Sequence, residues 1–177
     1  MREALSSCLS CDKLGIYTTE QKLCQDPKLK LKWYTFSVVK NLQIESTDKI
    51  QLIDITDKVR SIITQSNTQE GIVIIFAQHT TCSLVISEFE DSLCDDFSKY
   101  IQSIYPKGPF KHGHGIRNGL NNEDKFHTPS HIFSSLIGQH ITIPFTAGKM
   151  HFGTWQRICL VELNGPKVRN IIVKLHL

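Results

Sequence analysis

A single globular domain in which β-strands outnumber helices is the fold this sequence predicts. The 177 residues, 40% hydrophobic and 21% charged, are enough to bury a full core. Seven short runs are rich in β-branched and aromatic residues, the pattern of strands. Three further stretches repeat apolar residues at helical intervals. The most economical division is an N-terminal extension over 1–29, polar, Lys-rich and without sustained period, followed by the domain over 30–177.

The first strand is expected from Leu31 to Ile44, carried by Trp33, Tyr34, Phe36, Val38, Val39 and Ile44, and a second from Gln51 to Ile55. Thr56 reads as the N-cap of a helix reaching about Gln65, with Val59, Ile62 and Ile63 on one face. Gly71 to Ala77 is nearly all apolar, as in a strand covered on both sides, and it delivers His79 at its end. Cys82 to Ile86 is a further strand. Ser87 and Glu90 then have capping-box spacing ahead of a helix from Glu88 to Ile104, whose apolar stripe runs through Phe89, Leu93, Phe97, Tyr100, Ile101 and Ile104.

Six proline and glycine residues between Pro106 and Gly119 make Tyr105 to His127 a long loop, a length that in compact domains usually carries function. Thr128-Pro129 reads as an N-cap followed by proline at the first helical position of a helix that holds His131 and stops near Gly138. Strands follow at His140 to Phe145, Trp155 to Leu163 and Val168 to His176, and Asn164-Gly165 marks a hairpin between the last two.

Composition excludes several classes of function. A formal charge of +3, with Lys and Arg scattered, gives no nucleic-acid footprint. No apolar run reaches the roughly 18 residues a bilayer span needs, and Met1 to Lys13 has no apolar signal core, so no membrane association and a cytoplasmic location are expected. Lys107, Lys111, Arg117, Lys149 and Arg157 supply local positive charge suited to a phosphorylated small molecule, with solvated surface as the alternative. Cys8-x-x-Cys11 with Cys24 lacks a fourth zinc ligand at finger-like spacing, and reduced thiols are expected throughout.

The polar chemistry concentrates in Gln78-His79-Thr80-Thr81, in the segment from His112 to His131, and in Gly153-Thr154-Trp155-Gln156. A neutral imidazole is both the commonest metal ligand and the usual acid/base group near pH 7. Yet no short motif fixes His79, His112, His114, His127 and His131 to one another, and each also reads as a surface residue or a partner of a backbone carbonyl. His127 and His131 are four residues apart, but the Thr128-Pro129 cap places His127 outside the helix. Glu88 reads as a first-turn anion stabilised by the helix dipole. Trp155 reads as a core anchor or as a stacking platform with Gln156 beside it.

Taken together, these motifs resemble the YjbQ family. The residues that carry the likeness are His79-Thr80-Thr81-Cys82-Ser83-Leu84 with Glu88, then His112, then Pro129-Ser130-His131-Ile132 with Ser134-Ser135 and Gly138, and finally Gly148 with Gly153-Thr154-Trp155-Gln156. Four separated motifs in register are far more specific than one, and the likeness spans about Leu31 to Leu177. It implies an α+β domain with mixed or antiparallel sheets and two to three helices, assembled as a homotrimer. It implies His79, His112 and His131 as metal ligands and sets Glu88, Thr154, Trp155 and Gln156 at cleft-associated positions; Glu88 and Gln156 are then the catalytic candidates, and Thr80, Thr81, Thr154 and Trp155 the substrate-binding ones, with Lys111 added for its charge beside His112.

The activity so implied is that of a thiamine-phosphate synthase, joining a hydroxymethylpyrimidine diphosphate to a thiazole phosphate and expelling diphosphate. Three imidazoles suit zinc first, with nickel or cobalt next, while magnesium would enter with the substrate. Its counterpart is a non-catalytic trimer that holds a metal or a phosphorylated molecule without turnover. Departures from the family pattern bear on that choice. Gly113 stands where many members have Asp, Lys125-Phe126-His127 replaces an acidic or Asn-containing segment, and Ser87 and Phe89 flank Glu88 in place of Asn.

Overall fold

The structure is a computed structural model and describes residues 37–106, 108, 110–112 and 126–176. All belong to one compact unit running from Thr35 to Leu177. The predicted first strand upstream of Ser37 and the cysteines of the extension lie outside the described residues.

Two antiparallel sheets form the frame. Strands β1 (Ser37–Glu45), β8 (Val168–His176), β3 (Glu70–Ala77), β5 (His140–Thr146) and β6 (Lys149–Met150) make a five-stranded sheet in that order. Strands β2 (Gln51–Asp54), β7 (Arg157–Glu162) and β4 (Cys82–Ser87) make a three-stranded one. The helices are α1 (Thr56–Gln65), α2 (Asp91–Ile104) and α3 (His127–Ile137). This is the α+β architecture expected, with three helices among the described residues.

Side-chain alternation explains why the sheets face each other. Val73, Ile75 and Ala77 of β3, Ile141, Ile143 and Phe145 of β5, and Ile171, Val173 and Leu175 of β8 point one way and are buried against Leu84, Ile158 and Leu160 of the smaller sheet and against α1. The expected helical face of Val59, Ile62 and Ile63 is buried in this same core. On its other side the three-stranded sheet packs Leu52, Cys159, Val161 and Leu163 against Ile101 and Phe97 of α2 and Phe133 and Ile137 of α3. The smaller sheet is therefore clad on both faces. The larger is clad on one, which corrects the expectation for β3: Phe76 on its outer face is 44% exposed.

Three local readings change. Thr56 does not cap α1 with its side chain: the cap position is Ile55, and the Thr56 hydroxyl accepts instead from the backbone N–H of Ile158 at 2.8 Å. Asp54 takes the capping role, accepting from the Thr56 N–H at 2.8 Å while Arg157 donates to it from the side at 2.7 Å. Thr56 is thus a tie between α1 and β7. Thr56→Val leaves a buried N–H without its acceptor and is expected to cost about 1–3 kcal/mol in urea unfolding, and an unchanged midpoint would remove the tie from the account.

Glu90, not Ser87, caps α2, its carboxylate accepting from the N–H groups of Ser92 (3.0 Å) and Leu93 (3.2 Å). These bonds and that from the Ser92 hydroxyl hold the carboxyl below its ordinary range. Glu88 consequently stands three residues ahead of the helix and exposed, outside the first turn where it was expected.

Asn164-Gly165 is not a hairpin between paired strands. The chain leaves the three-stranded sheet at Glu162 and enters the five-stranded one at Val168. Glycine is needed at 165 because a Cβ there would lie 2.1 Å from the Asp48 carbonyl oxygen.

Candidate functional site

Helix α3 lies close to the small sheet because serines, rather than bulky residues, face it. The Ser130 hydroxyl donates to the Leu163 carbonyl at 2.6 Å and the Ser134 hydroxyl to the Cys82 carbonyl at 2.6 Å, one helical turn apart. Ser83 returns a bond to the Ser134 carbonyl at 3.3 Å. The helix begins two residues earlier than predicted, at His127, with Pro129 in its first turn where no intrahelical donor is required of it.

That two-residue shift matters for the site. With His127 inside the helix, His127 and His131 share a face at i,i+4 spacing and their rings meet edge to face, centroids 4.8 Å apart. The Thr128 hydroxyl donates to the His112 carbonyl at 2.7 Å and so holds His112 beside the start of the helix. His112 then stacks on His127 at 5.2 Å and meets His131 edge-on at 5.0 Å. One ligand nitrogen from each of His112, His127 and His131 lies within 4.8 Å of the others. The Nε2 atoms of His127 and His131 are withdrawn from solvent, whereas His112 is exposed.

A neutral imidazole offers one nitrogen lone pair to a ligand. Three such nitrogens gathered this closely could hold a metal ion. The structure thus brings together two of the three predicted ligands, His112 and His131, and adds His127 in place of His79.

His79 is elsewhere for a specific reason. The backbone N–H of Asn170, on β8, donates to His79 Nε2 at 2.7 Å, so that nitrogen's lone pair is already used. Burial, and then the charge of Arg169, push the His79 imidazole below its ordinary value, which keeps the ring neutral. His79, Thr80 and Thr81 line an open cleft of about 690 Å³ with Ser135, Gln139 and Arg169. Ser135 is one turn beyond His131 on α3, and its hydroxyl donates to the His131 carbonyl at 2.8 Å. The cleft therefore adjoins the imidazole cluster along the helix.

Beneath the cleft lies a buried ion pair. Arg169 Nε donates to Glu162 Oε2 at 2.7 Å, and its Nη2 bonds both Glu162 Oε1 and the Thr81 hydroxyl, the latter at 3.0 Å. The Glu162 carboxylate also accepts from the Ser46 hydroxyl (2.9 Å) and from the N–H groups of Leu163 (3.0 Å) and Asn164 (2.8 Å). Burial alone would raise the Glu162 carboxyl, but Arg169 and these donors outweigh it and hold it below its ordinary value. Arg169 was missed in the sequence, although it is the one charge on the inward frame Arg169, Ile171, Val173, Leu175 of an alternating strand.

The remaining predicted residues lie at the other end of the small sheet. Cys82 pairs with Glu162 beside α3, while Ser87 pairs with Arg157 at the far end, five residues and roughly 17 Å away. Glu88 follows the far end of β4, Thr154, Trp155 and Gln156 precede the far end of β7, and all four are exposed. Trp155, at 70% exposure, is not a core anchor. Gln156 folds back so that its side-chain oxygen accepts from the Gly153 N–H at 2.8 Å, closing a turn.

Among the predicted cations, Lys111 is exposed beside His112. Arg157 is committed to Asp54 and Asp57. Lys149 lines a separate open cleft with Arg60, Met150 and Phe152, which holds no imidazole. Lys107, Arg117 and His114 lie outside the described residues, as does Asn121-Asn122-Glu123-Asp124, the loop stretch that could replace the acid lost at Gly113.

A two-sheet α+β domain with clustered imidazoles on its third helix defines the class structurally, and comparison with known proteins places it. Residues 40–176 match the model of the YjbQ family, described as UPF0047 protein YjbQ-like, and the chain belongs to that family.

It is similar to a UPF0047 protein of Archaeoglobus fulgidus, 32% identical over 134 residues that cover 75% of this chain and 97% of that protein. A Methanocaldococcus jannaschii UPF0047 protein is 36% identical over 135 residues, covering 75% and 90%. Among solved structures, a YjbQ-like protein of unknown function from Sulfolobus solfataricus superposes with a TM-score of 0.68 at 28% identity, covering 81% of this chain and 99% of that one. A YjbQ/UPF0047 protein from Clostridium acetobutylicum gives 0.66 at 28%, covering 77% and 98%.

Proposed function

We propose that this chain is a metal-dependent protein acting on a small phosphorylated molecule, with thiamine-phosphate synthase chemistry as its activity. The observation that carries the reading is the convergence of His112, His127 and His131 beside a polar cleft. Zinc is the ion the donor set suits best, with nickel or cobalt next, because three neutral nitrogens disfavour magnesium. A divalent ion held there would supply Lewis-acid stabilisation of the charge that develops on a departing diphosphate. The protein's own part is to orient the rings through α3 and the Thr128–His112 tie, and to present the cleft's hydroxyls to the phosphorylated end.

Assembly as a homotrimer belongs to the same proposal. The outer face of the five-stranded sheet exposes Val39 (55%) and Phe76 with the partly exposed Ile72, Ile74 and Ile172 along its centre, a surface a second copy of the chain would cover. Among the described residues no helix is long and apolar enough to cross a membrane. Free Cys82 and Cys159, both buried, fit a reducing cytoplasmic setting.

A non-catalytic binding protein is the second reading. It is favoured by the distance between the imidazoles and Glu88, Trp155 and Gln156 within one chain. Elemental analysis of unchelated protein, followed by incubation with the pyrimidine diphosphate and thiazole phosphate, separates the readings. Bound metal with product formation is expected. Bound metal and ligand without product under zinc, nickel, cobalt or magnesium would favour the second reading, and absence of any metal would remove both forms of the metal site.

A further inference from the structure

We propose that the cleft formed by His79, Thr80, Thr81 and Arg169 is an anion-binding subsite that takes the phosphate or diphosphate end of a ligand. The inference rests on the metal reading only for what the rest of that ligand meets.

Hydrogen-bond direction is the first argument. Because the Asn170 N–H donates to His79 Nε2, the proton of the neutral ring sits on Nδ1, and His79 presents a donor. Arg169 Nη2 donates to the Thr81 oxygen at 3.0 Å, which leaves the Thr81 hydroxyl proton to point elsewhere and makes it a stronger donor. Thr80 adds an exposed hydroxyl. A site whose polar groups are set to donate selects an acceptor-rich ligand, and a phosphate has only acceptors to offer when ionised.

Electrostatics agrees with that polarity. At the His79 ring the opposing charge of Glu162 is weaker than that of Arg169, and Lys167 adds to the positive side. Among the described residues that line the cleft none is acidic. The guanidinium is held rigid by Glu162, so no side-chain ordering is left for the ligand to impose on it.

Position supplies the third argument. Ser135, on the cleft wall, is one turn from His131, about 6 Å along the helix. A phosphorylated ligand seated at His79 therefore extends towards the imidazole cluster. The same geometry gives His79 a role distinct from metal ligation.

The test is titration of the full-length chain with inorganic diphosphate by calorimetry at constant ionic strength, with and without a chelator. The wild type is expected to bind in both arms. His79→Ala and Thr80→Ala should each weaken binding about tenfold, the loss of one charge-assisted hydrogen bond. Thr80 is exposed, so its variant keeps the test sound if His79→Ala fails to fold.

Absence of binding, binding that vanishes with the chelator, or binding undiminished in both variants would overturn the subsite. Should the protein hold no metal yet bind diphosphate through these residues, the subsite stands and the metal reading falls.

Discussion

Arg169→Met is expected to destabilise the domain by about 3–5 kcal/mol, a large part of the total stability of a domain this size. The reason is the carboxylate left behind. Glu162 is fully buried and keeps its bonds from Ser46, Leu163 and Asn164 in the variant, but it loses its only bonded cation among the described residues. Replacing both partners, as Glu162→Leu with Arg169→Met, should recover much of the loss, because it is the unpaired charge that is costly.

The pH dependence has a definite sign. In the wild type the Glu162 carboxyl is held below its ordinary 4.5, so the pair's contribution is present above that value and is lost as pH falls through the folded-state pKa. In Arg169→Met the unpaired carboxyl moves upward and takes a proton more readily. The gap between the two proteins should therefore be widest near neutral pH and narrow towards acid. Urea unfolding at pH 7 and pH 4 reads both effects, and an equal gap at the two pH values would show that the charge is not the cause.

His127→Ala should reduce metal uptake as severely as His131→Ala, by more than the 10–100-fold typical of changes around a metal site, while His79→Ala should leave it intact. This ordering follows from where the nitrogens are. His112, His127 and His131 gather within 4.8 Å, whereas His79 Nε2 accepts from Asn170. Metal content measured side by side for the three variants decides it. Full retention in His127→Ala would remove that residue from the ligand set, and loss in His79→Ala would restore the assignment made from the sequence.

Much of the fold was legible because periodicity reports burial. The apolar frames of β3, β4, β5 and β8, and the Val59, Ile62, Ile63 face of α1, were visible as patterns and became the two-sided core. What could not be read was pairing at a distance. Asn164-Gly165 has the local chemistry of a hairpin, yet nothing in two residues reveals that the flanking strands belong to different sheets.

The site was half legible for a related reason. Thr128-Pro129 satisfies the rule for a helix start, but proline is tolerated anywhere in a first turn, and the two-residue difference decides whether His127 belongs with His131. The spacing of the two histidines was the available signal, and the capping rule overrode it. Glu88 was misplaced by the same mechanism, since Glu90 rather than Ser87 provides the cap.

The serine contacts that hold α3 to the small sheet have a mechanical consequence. Ser130 and Ser134 fasten the helix to backbone carbonyls at Leu163, just past the end of β7, and at Cys82, where β4 begins. Strand β7 is central to its sheet and covered on both sides, so among the described elements it is expected to resist opening to solvent. His127 and His131 ride on that floor and His112 is tied to it through the Thr128 hydroxyl, so the spacing of the three rings is set by the scaffold before a ligand arrives.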